Sequence, residues 1–256
     1  MKLEFRETQA PYVSGTQAAR WWTEDWASNE LFCPSCGGES LTGYENNRPV
    51  ADLFCENCAE QFELKSSKKT FGFKIVDGAY SSMSERLAST TNPNLFLLNY
   101  DLDRRSITNL IVVPKQFFTL SVIERRPPLK PTARRAGWVG CNILFGKIPA
   151  TGRIEIVRNG AVRPRERVVQ QWRRTLFLRS GTASSRGWLL EVLGCVERLG
   201  SEEFSTDDAY RFAPYLQEIF PKNRHVREKI RQQLQRLRDN GILEFVARGR
   251  YRLIPG

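Results

Sequence analysis

The 256-residue chain is short of acid: 28 Asp and Glu stand against 39 Lys and Arg, a formal charge of +11. The sequence pI is about 9.6. Such a deficit points to a polyanionic partner, most often nucleic acid. The chain also lacks any apolar run near the roughly 18 residues needed to span a bilayer. Its first stretch, MKLEFRETQAPYVS, has no apolar segment of the kind a secretion signal carries. A cytoplasmic protein without a membrane partner is therefore expected. Histidine is nearly absent; the single one, His225, sits where a helix pattern begins and is expected on the surface, with no catalytic role. No internal repeat or low-complexity tract stands out. What is present suffices for a core: 41% of residues are hydrophobic, which argues against disorder. The length suits one large domain or two modest ones.

Along the chain, residues 14–30 have Ala18, Ala19, Trp22 and Trp26 at helical spacing, with Ser14 or Thr16 as cap. Residues 49–54 and 60–66 read as short strands, 77–89 as a second helix, and 95–100 and 109–113 as buried strands. That order predicts an α/β domain. Residues 124–142, rich in Pro, Gly and Arg, read as a structured loop. Residues 153–162 read as a hairpin turning at Asn159-Gly160, and 165–177 as a basic amphipathic helix. The small polar run RSGTASSRG at 179–187 reads as a linker. It divides the chain into 1–180 and 181–256. The second part has helix patterns at 188–199, 206–220 (capped by Ser205 with Asp208) and 223–239. A short hairpin around Ala247-Arg248-Gly249 follows. Three helices and a hairpin predict a winged helix.

Four of the six cysteines form two pairs, Cys33-Pro34-Ser35-Cys36 and Cys55-Glu56-Asn57-Cys58, eighteen residues apart. In a reducing compartment such C-x2-C pairs favour metal over disulfides. Four thiolates close a tetrahedral Zn2+ site with no position left for substrate, so a structural zinc is expected. Cys141 and Cys195 lie apart from the pairs and are expected as small core residues.

The second knuckle is flanked by Asp52 on one side and Glu63-Leu64-Lys65 on the other. If the knuckle is the turn of a hairpin, both carboxylates lie on neighbouring strands. Glu63 and Lys65, two apart, then share a face, and Leu64 points into the core. Two carboxylates and a lysine at one spot suit Mg2+-assisted phosphodiester hydrolysis. A solvated hairpin with scattered charges is the alternative.

RPVAD, CENC, ELKS and the upstream CPSCG together resemble the PD-(D/E)xK nucleases. TEDW, ENNRPVAD, DGAY, PTARRAGWVGCN, SSRGW and EKIRQQLQ extend the likeness from about residue 23 to 251, and are similar to the methyl-directed Type II restriction endonucleases. The resemblance implies an α/β PD-(D/E)xK nuclease core with an inserted four-cysteine zinc site, followed by a C-terminal winged-helix domain. It implies Mg2+-dependent cleavage of both strands of double-stranded DNA at GATC carrying N6-methyladenine. A protein monomeric in solution, in a prokaryotic cytoplasm, is expected. Carried over, Asp52 and Glu63 hold Mg2+, the Leu64 carbonyl is a third metal contact, and Lys65 is the catalytic lysine. Val50-Ala51-Asp52 stands where the motif's name has Pro-Asp. A zinc-ribbon and winged-helix regulator without activity, and a repair nuclease of other selectivity, are the alternatives.

Trp138, beside Arg134 and Arg135 in a glycine-bracketed stretch, is the candidate methyl reader. An indole face can cover an N6-methyl in the major groove while arginines hold phosphates or guanine edges. A core tryptophan anchoring the loop is the competing reading. In the last helix, Val226, Ile230, Leu234 and Leu237 form an apolar stripe. Arg224, Arg231 and Gln232 fall outside it and are expected to contact DNA, with Arg248, Arg250 and Arg252 of the wing.

Overall fold

A computed structural model describes residues 1–5, 15–44, 51–89 and 91–254. Ser14, the side chain of Thr16, and Pro49 and Val50 lie outside them. The elements run α1 (Gly15–Glu30), β1 (Thr42–Gly43), β2 (Leu53–Phe54), β3 (Gln61–Ser67), β4 (Ile75–Ala79), α2 (Tyr80–Ser89), β5 (Asn94–Asp101) and β6 (Ser106–Val113). Then come β7 (Ile123–Arg125), β8 (Gly140–Ile143), β9 (Ile154–Arg158), β10 (Ala161–Val162) and α3 (Arg165–Arg173). The C-terminal part holds α4 (Ala183–Arg198), β11 (Glu203–Ser205), α5 (Thr206–Tyr210), α6 (Ala213–Ile219), α7 (Val226–Asp239), β12 (Leu243–Ala247) and β13 (Arg250–Leu253).

Seven strands form the central sheet in the order β1-β2-β3-β5-β6-β9-β10. Among the described residues, only β3 and β5 of this sheet pair in parallel. A parallel pair needs a crossover, and β4 with α2 supply it. β5, NLFLLNYD, is buried along nearly its whole length, as a strand covered on both faces must be. Phe62, Leu64, Phe96 and Leu98 pack against Trp26 and Ala27 of α1 and Val168 and Trp172 of α3. On the opposite face Leu95, Leu97 and Val113 meet Met83 and Leu87 of α2. That second core continues without interruption into Trp188, Leu193, Leu234 and Tyr251 of the C-terminal part.

Up to the start of α4, three expectations change. Residues 77–79 are not the start of a helix: β4 ends there, paired with β8 of a separate sheet, β4-β8-β7. Gly78 disfavours a helix, and the distant residues of β8 supply the strand partner. Residues 124–142 are not a free-standing loop but a long hairpin. Its ladder extends beyond β7 and β8 through Arg126 N–H to Gly140 O (2.9 Å) and Leu129 N–H to Trp138 O (2.9 Å). The linker shrinks, because the Thr182 hydroxyl accepts from Ser185 N–H at 3.1 Å and caps α4, so residues 183–187 are helical.

The C-terminal part is a winged helix, with α4 to α7 against a sheet ordered β11-β13-β12. Ser205 and Asp208 form the expected capping box. The single helix expected at 206–220 is two. Pro214 has no N–H to give Tyr210 O, and its ring would clash there, so the chain breaks at residues 211–212. Val226, Ile230, Leu234 and Leu237 are all buried, as the stripe required.

Candidate active site and metal centre

The two cysteine knuckles fold alike. Gly37 N–H donates to Cys33 O, and Ala59 N–H donates to Cys55 O, each at 2.8 Å. Each turn closes with a residue in the left-handed region: Gly37 at φ 79° and Ala59 at φ 58°. Alanine is unfavourable there by about 1–2 kcal/mol, a strain that the surrounding knuckle sustains. The four sulfurs lie within 4.8 Å of one another, with Cys33–Cys58 and Cys36–Cys55 both at 3.6 Å. Sulfurs at about 2.3 Å from a central Zn2+ stand about 3.8 Å apart in a tetrahedron, so the cluster fits zinc. Burial pushes the Cys33 and Cys58 thiols up, a penalty on the thiolate that a dication would cancel. Cys141 and Cys195 are buried elsewhere, and burial pushes both thiols up to about 11.

The second knuckle is indeed a hairpin turn, with Leu53 opposite Phe62 and Phe54 opposite Gln61. Asp52 stands just before β2. Its Oδ2 accepts Leu64 N–H at 2.7 Å, and its Oδ1 meets the Arg20 guanidinium at 2.9 Å. Arg20 also pairs with Glu24 one turn along α1. Burial pushes the Glu24 carboxyl up, and Arg20 offsets that only in part. Glu63 and Lys65 share a face of β3, while the Leu64 side chain is buried on the other. What the fold turns toward Asp52 is the Leu64 amide.

Lys65 Nζ lies 2.8 Å from Glu63 Oε1 and 2.8 Å from Asp77 Oδ1. Burial alone would lower the Lys65 pKa. The Glu63 and Asp77 carboxylates more than offset it, so the pKa is raised and the ammonium stays charged. Asp77 comes from β4, and its side chain is only 9% exposed. Sequence reasoning missed it, having assigned it to a helix start. The DGAY motif drew attention to the right place but said nothing of its partner. Arg20 and Glu24 were missed as well, since an i,i+4 ion pair on a helix is common for reasons unrelated to function.

Asp52, Glu63 and Lys65 open into one cleft of about 840 Å³, whose rim includes Arg20, Lys69, Lys74 and Arg86. The expected acidic pair and lysine are thus brought together, in basic surroundings.

The DNA-reading candidates sit elsewhere. Trp138 is half-buried near the tip of the long hairpin, with the Arg135 guanidinium 4.6 Å from its ring centroid. Its indole lies over Gly140, where a Cβ would come within 2.7 Å of a ring carbon; any larger residue would displace it. Trp138 is no core residue. It is three residues from Cys141, which pairs with Asp77 across β4 and β8, so hairpin and cleft share one small sheet. Arg134 and Arg135 are exposed. Arg224, just before α7, and Arg231 and Gln232 on it are exposed as expected, and Gln232 Oε1 accepts from Lys229 Nζ at 2.8 Å. Arg252 departs from expectation. Glu203 and Glu244 face it from the two neighbouring strands and pair with it, so it braces the wing. Arg248 and Arg250 remain exposed.

Among the described residues no helix is long and apolar enough to cross a membrane. Residues 1–181 match the DpnI family, described as the Dam-replacing family. Residues 184–253 match the C-terminal Dam-replacing HTH domain.

Proposed function

This chain belongs to the DpnI, Dam-replacing family, and on that premise we propose that it is a Type II restriction endonuclease cutting both strands of GATC when the adenine is N6-methylated, by Mg2+-dependent hydrolysis. The observation that carries the reading is the convergence of Asp52, Glu63 and Lys65 in one basic cleft. Carboxylate oxygens facing an open polar cleft are the donor set that Mg2+ prefers. Asp52 and Glu63 would hold the ion, with the Leu64 carbonyl as a further contact. When bound, the ion offsets charge on the phosphodiester transition state and activates a water.

The rest belongs to the chain. The Lys65 ammonium, fixed between Glu63 and Asp77, offers its charge to the scissile phosphate or orients the attacking water. Arg20 neutralises Asp52 and stands at the rim, where a phosphate backbone would pass. The four-cysteine zinc is structural: it closes the turn that sets Asp52 against Leu64. A one-residue slip in that hairpin would put a carboxylate on the wrong face. Residues 1–180 are the catalytic domain, with Arg134, Arg135 and Trp138 reading the methylated site. Residues 181–256 are a second DNA reader through Arg224, Arg231 and Gln232. The protein is a monomer in solution, in a prokaryotic cytoplasm.

The test is digestion of plasmid from methylating and non-methylating hosts in Mg2+. Discrete fragments from the methylated plasmid alone are expected. Binding without cutting in either Mg2+ or Mn2+ would overturn the reading in favour of a regulator. Nicking of both plasmids without site preference would favour a repair nuclease.

A further inference from the structure

β5 is almost wholly apolar between its ends, yet Asn99 lies within it, 5% exposed. A buried amide must be hydrogen-bonded, and the Asn99 side chain is bonded to a single place. Its Nδ2 donates to Ser67 O at 3.2 Å and to Lys69 O at 2.7 Å. Asn99 is also the register partner of Ser67, the last rung of the parallel ladder between β3 and β5. Beyond that rung the chain bends at Lys68 and Lys69. The amide therefore catches both ends of the bend, which Lys69 N–H tightens by donating to Ser67 Oγ at 3.1 Å.

The strand so ended is the one that carries Glu63 and Lys65. Lys69 follows Lys65 by four residues, at most about 14 Å of chain, and lines the same cleft. It differs from its neighbours on the rim. Lys74 is held by Glu124 and Arg20 by Asp52 and Glu24. Lys69 is exposed and has no carboxylate partner among the described residues. An unpaired ammonium, on a bend held from inside the sheet, beside a site for cutting a polyanion, is placed for a phosphate. At about 3.4 Å of axis per nucleotide, its reach from Lys65 covers the first few nucleotides flanking the cut.

We infer that Lys69 binds a backbone phosphate flanking the scissile one, and that Asn99 is the positioning residue that fixes the bend carrying it. The inference rests on the reading of the cleft as the DNA-cutting site.

The test uses the full chain on methylated duplex, with kcat and KM measured across a series of NaCl concentrations. Each phosphate contact contributes about 0.9 to the slope of log affinity against log salt. Lys69→Ala is expected to lower the slope of log kcat/KM by about that amount, with the loss falling mainly on KM, several-fold at low salt. Lys69→Arg should restore the slope. Asn99→Ala should lower it in the same way, and the double variant no further. Lys69 is exposed, so its variants test the phosphate contact even where Asn99→Ala folds poorly. Asp52→Asn separates the two claims. If wild type cuts and Asp52→Asn does not, the reading of the cleft stands, and an unchanged slope in Lys69→Ala overturns the inference alone. If Asp52→Asn cuts normally, the reading falls. Additive slope changes in the double variant would remove Asn99 from the account.

Discussion

Asp77 illustrates how one residue can be decisive in space and silent in sequence. It shares Lys65 with Glu63, each oxygen 2.8 Å from the ammonium. Asp77→Asn keeps the volume and removes the charge. Lys65 is then held from one side only, and kcat should fall at least about tenfold, roughly 1.4 kcal/mol of barrier, with the melting temperature nearly unchanged. A variant with wild-type kcat would show that Glu63 alone suffices. Trp138 belongs to the same scale. Its ring is stacked on Arg135 and seated over Gly140 at the surface, so Trp138→Ala should lower discrimination between methylated and unmethylated GATC and leave the fold intact. Equal loss on both substrates with a lower melting temperature would return it to a packing role. Asp52, Glu63 and Lys65 were legible because their spacing around the knuckle is local. Asp77 was not, because its meaning lies in a strand pairing with β8.

At the scale of elements, the hairpin of β2 and β3 joins the four-cysteine cluster to the candidate catalytic face. Its turn carries Cys55 and Cys58, and its two arms carry Asp52 and Glu63 to Lys65. Cys55→Ser leaves three thiolates. The prediction is loss of bound zinc by elemental analysis, a lowered melting temperature and impaired cleavage together. A zinc-free variant that is stable and cuts normally would break the link between knuckle and register. The long hairpin from β7 to β8 was hidden for a physical reason. Pro127, Pro128 and Pro131 together with Gly137 read locally as a loop, and only pairing of β8 with both β4 and β7 makes its ends strands. By contrast, the α7 stripe was legible outright, since its 3.6-residue period is written in the chain.

The molecule as a whole is less divided than its composition suggests. The small polar run at residues 179–187 looks like a linker, yet the core beneath α2 continues into α4 and α7. Two side chains staple the parts together. Glu197 of α4 accepts Ala150 N–H at 2.6 Å and the Thr151 hydroxyl at 2.9 Å. Arg174 donates to Gly241 O and Ile254 O at 3.2 and 3.1 Å. Glu197→Ala leaves those donors unpaired, a cost of about 1–3 kcal/mol where they stay dry. The expected result is faster tryptic cleavage at Arg179 in the free protein. Unchanged proteolysis would mean that the apolar contact alone holds the parts.

The sequence by itself determined the four thiolates, the acidic pair with its lysine, the basic charge, and the winged helix through its apolar periods. The thiolates and the acidic pair are written in short motifs on and beside one cysteine knuckle, the winged helix in its apolar period, and the charge in composition alone. The tertiary structure alone decided that Asp77, twelve residues from Lys65, closes on the lysine, and that Asn99 holds the bend of Lys69 from thirty residues away. It also decided that Arg252 is bound in the wing and that one core runs through both parts. Those outcomes depend on which distant strands pair and which buried polar groups must find partners, and no local pattern specifies either.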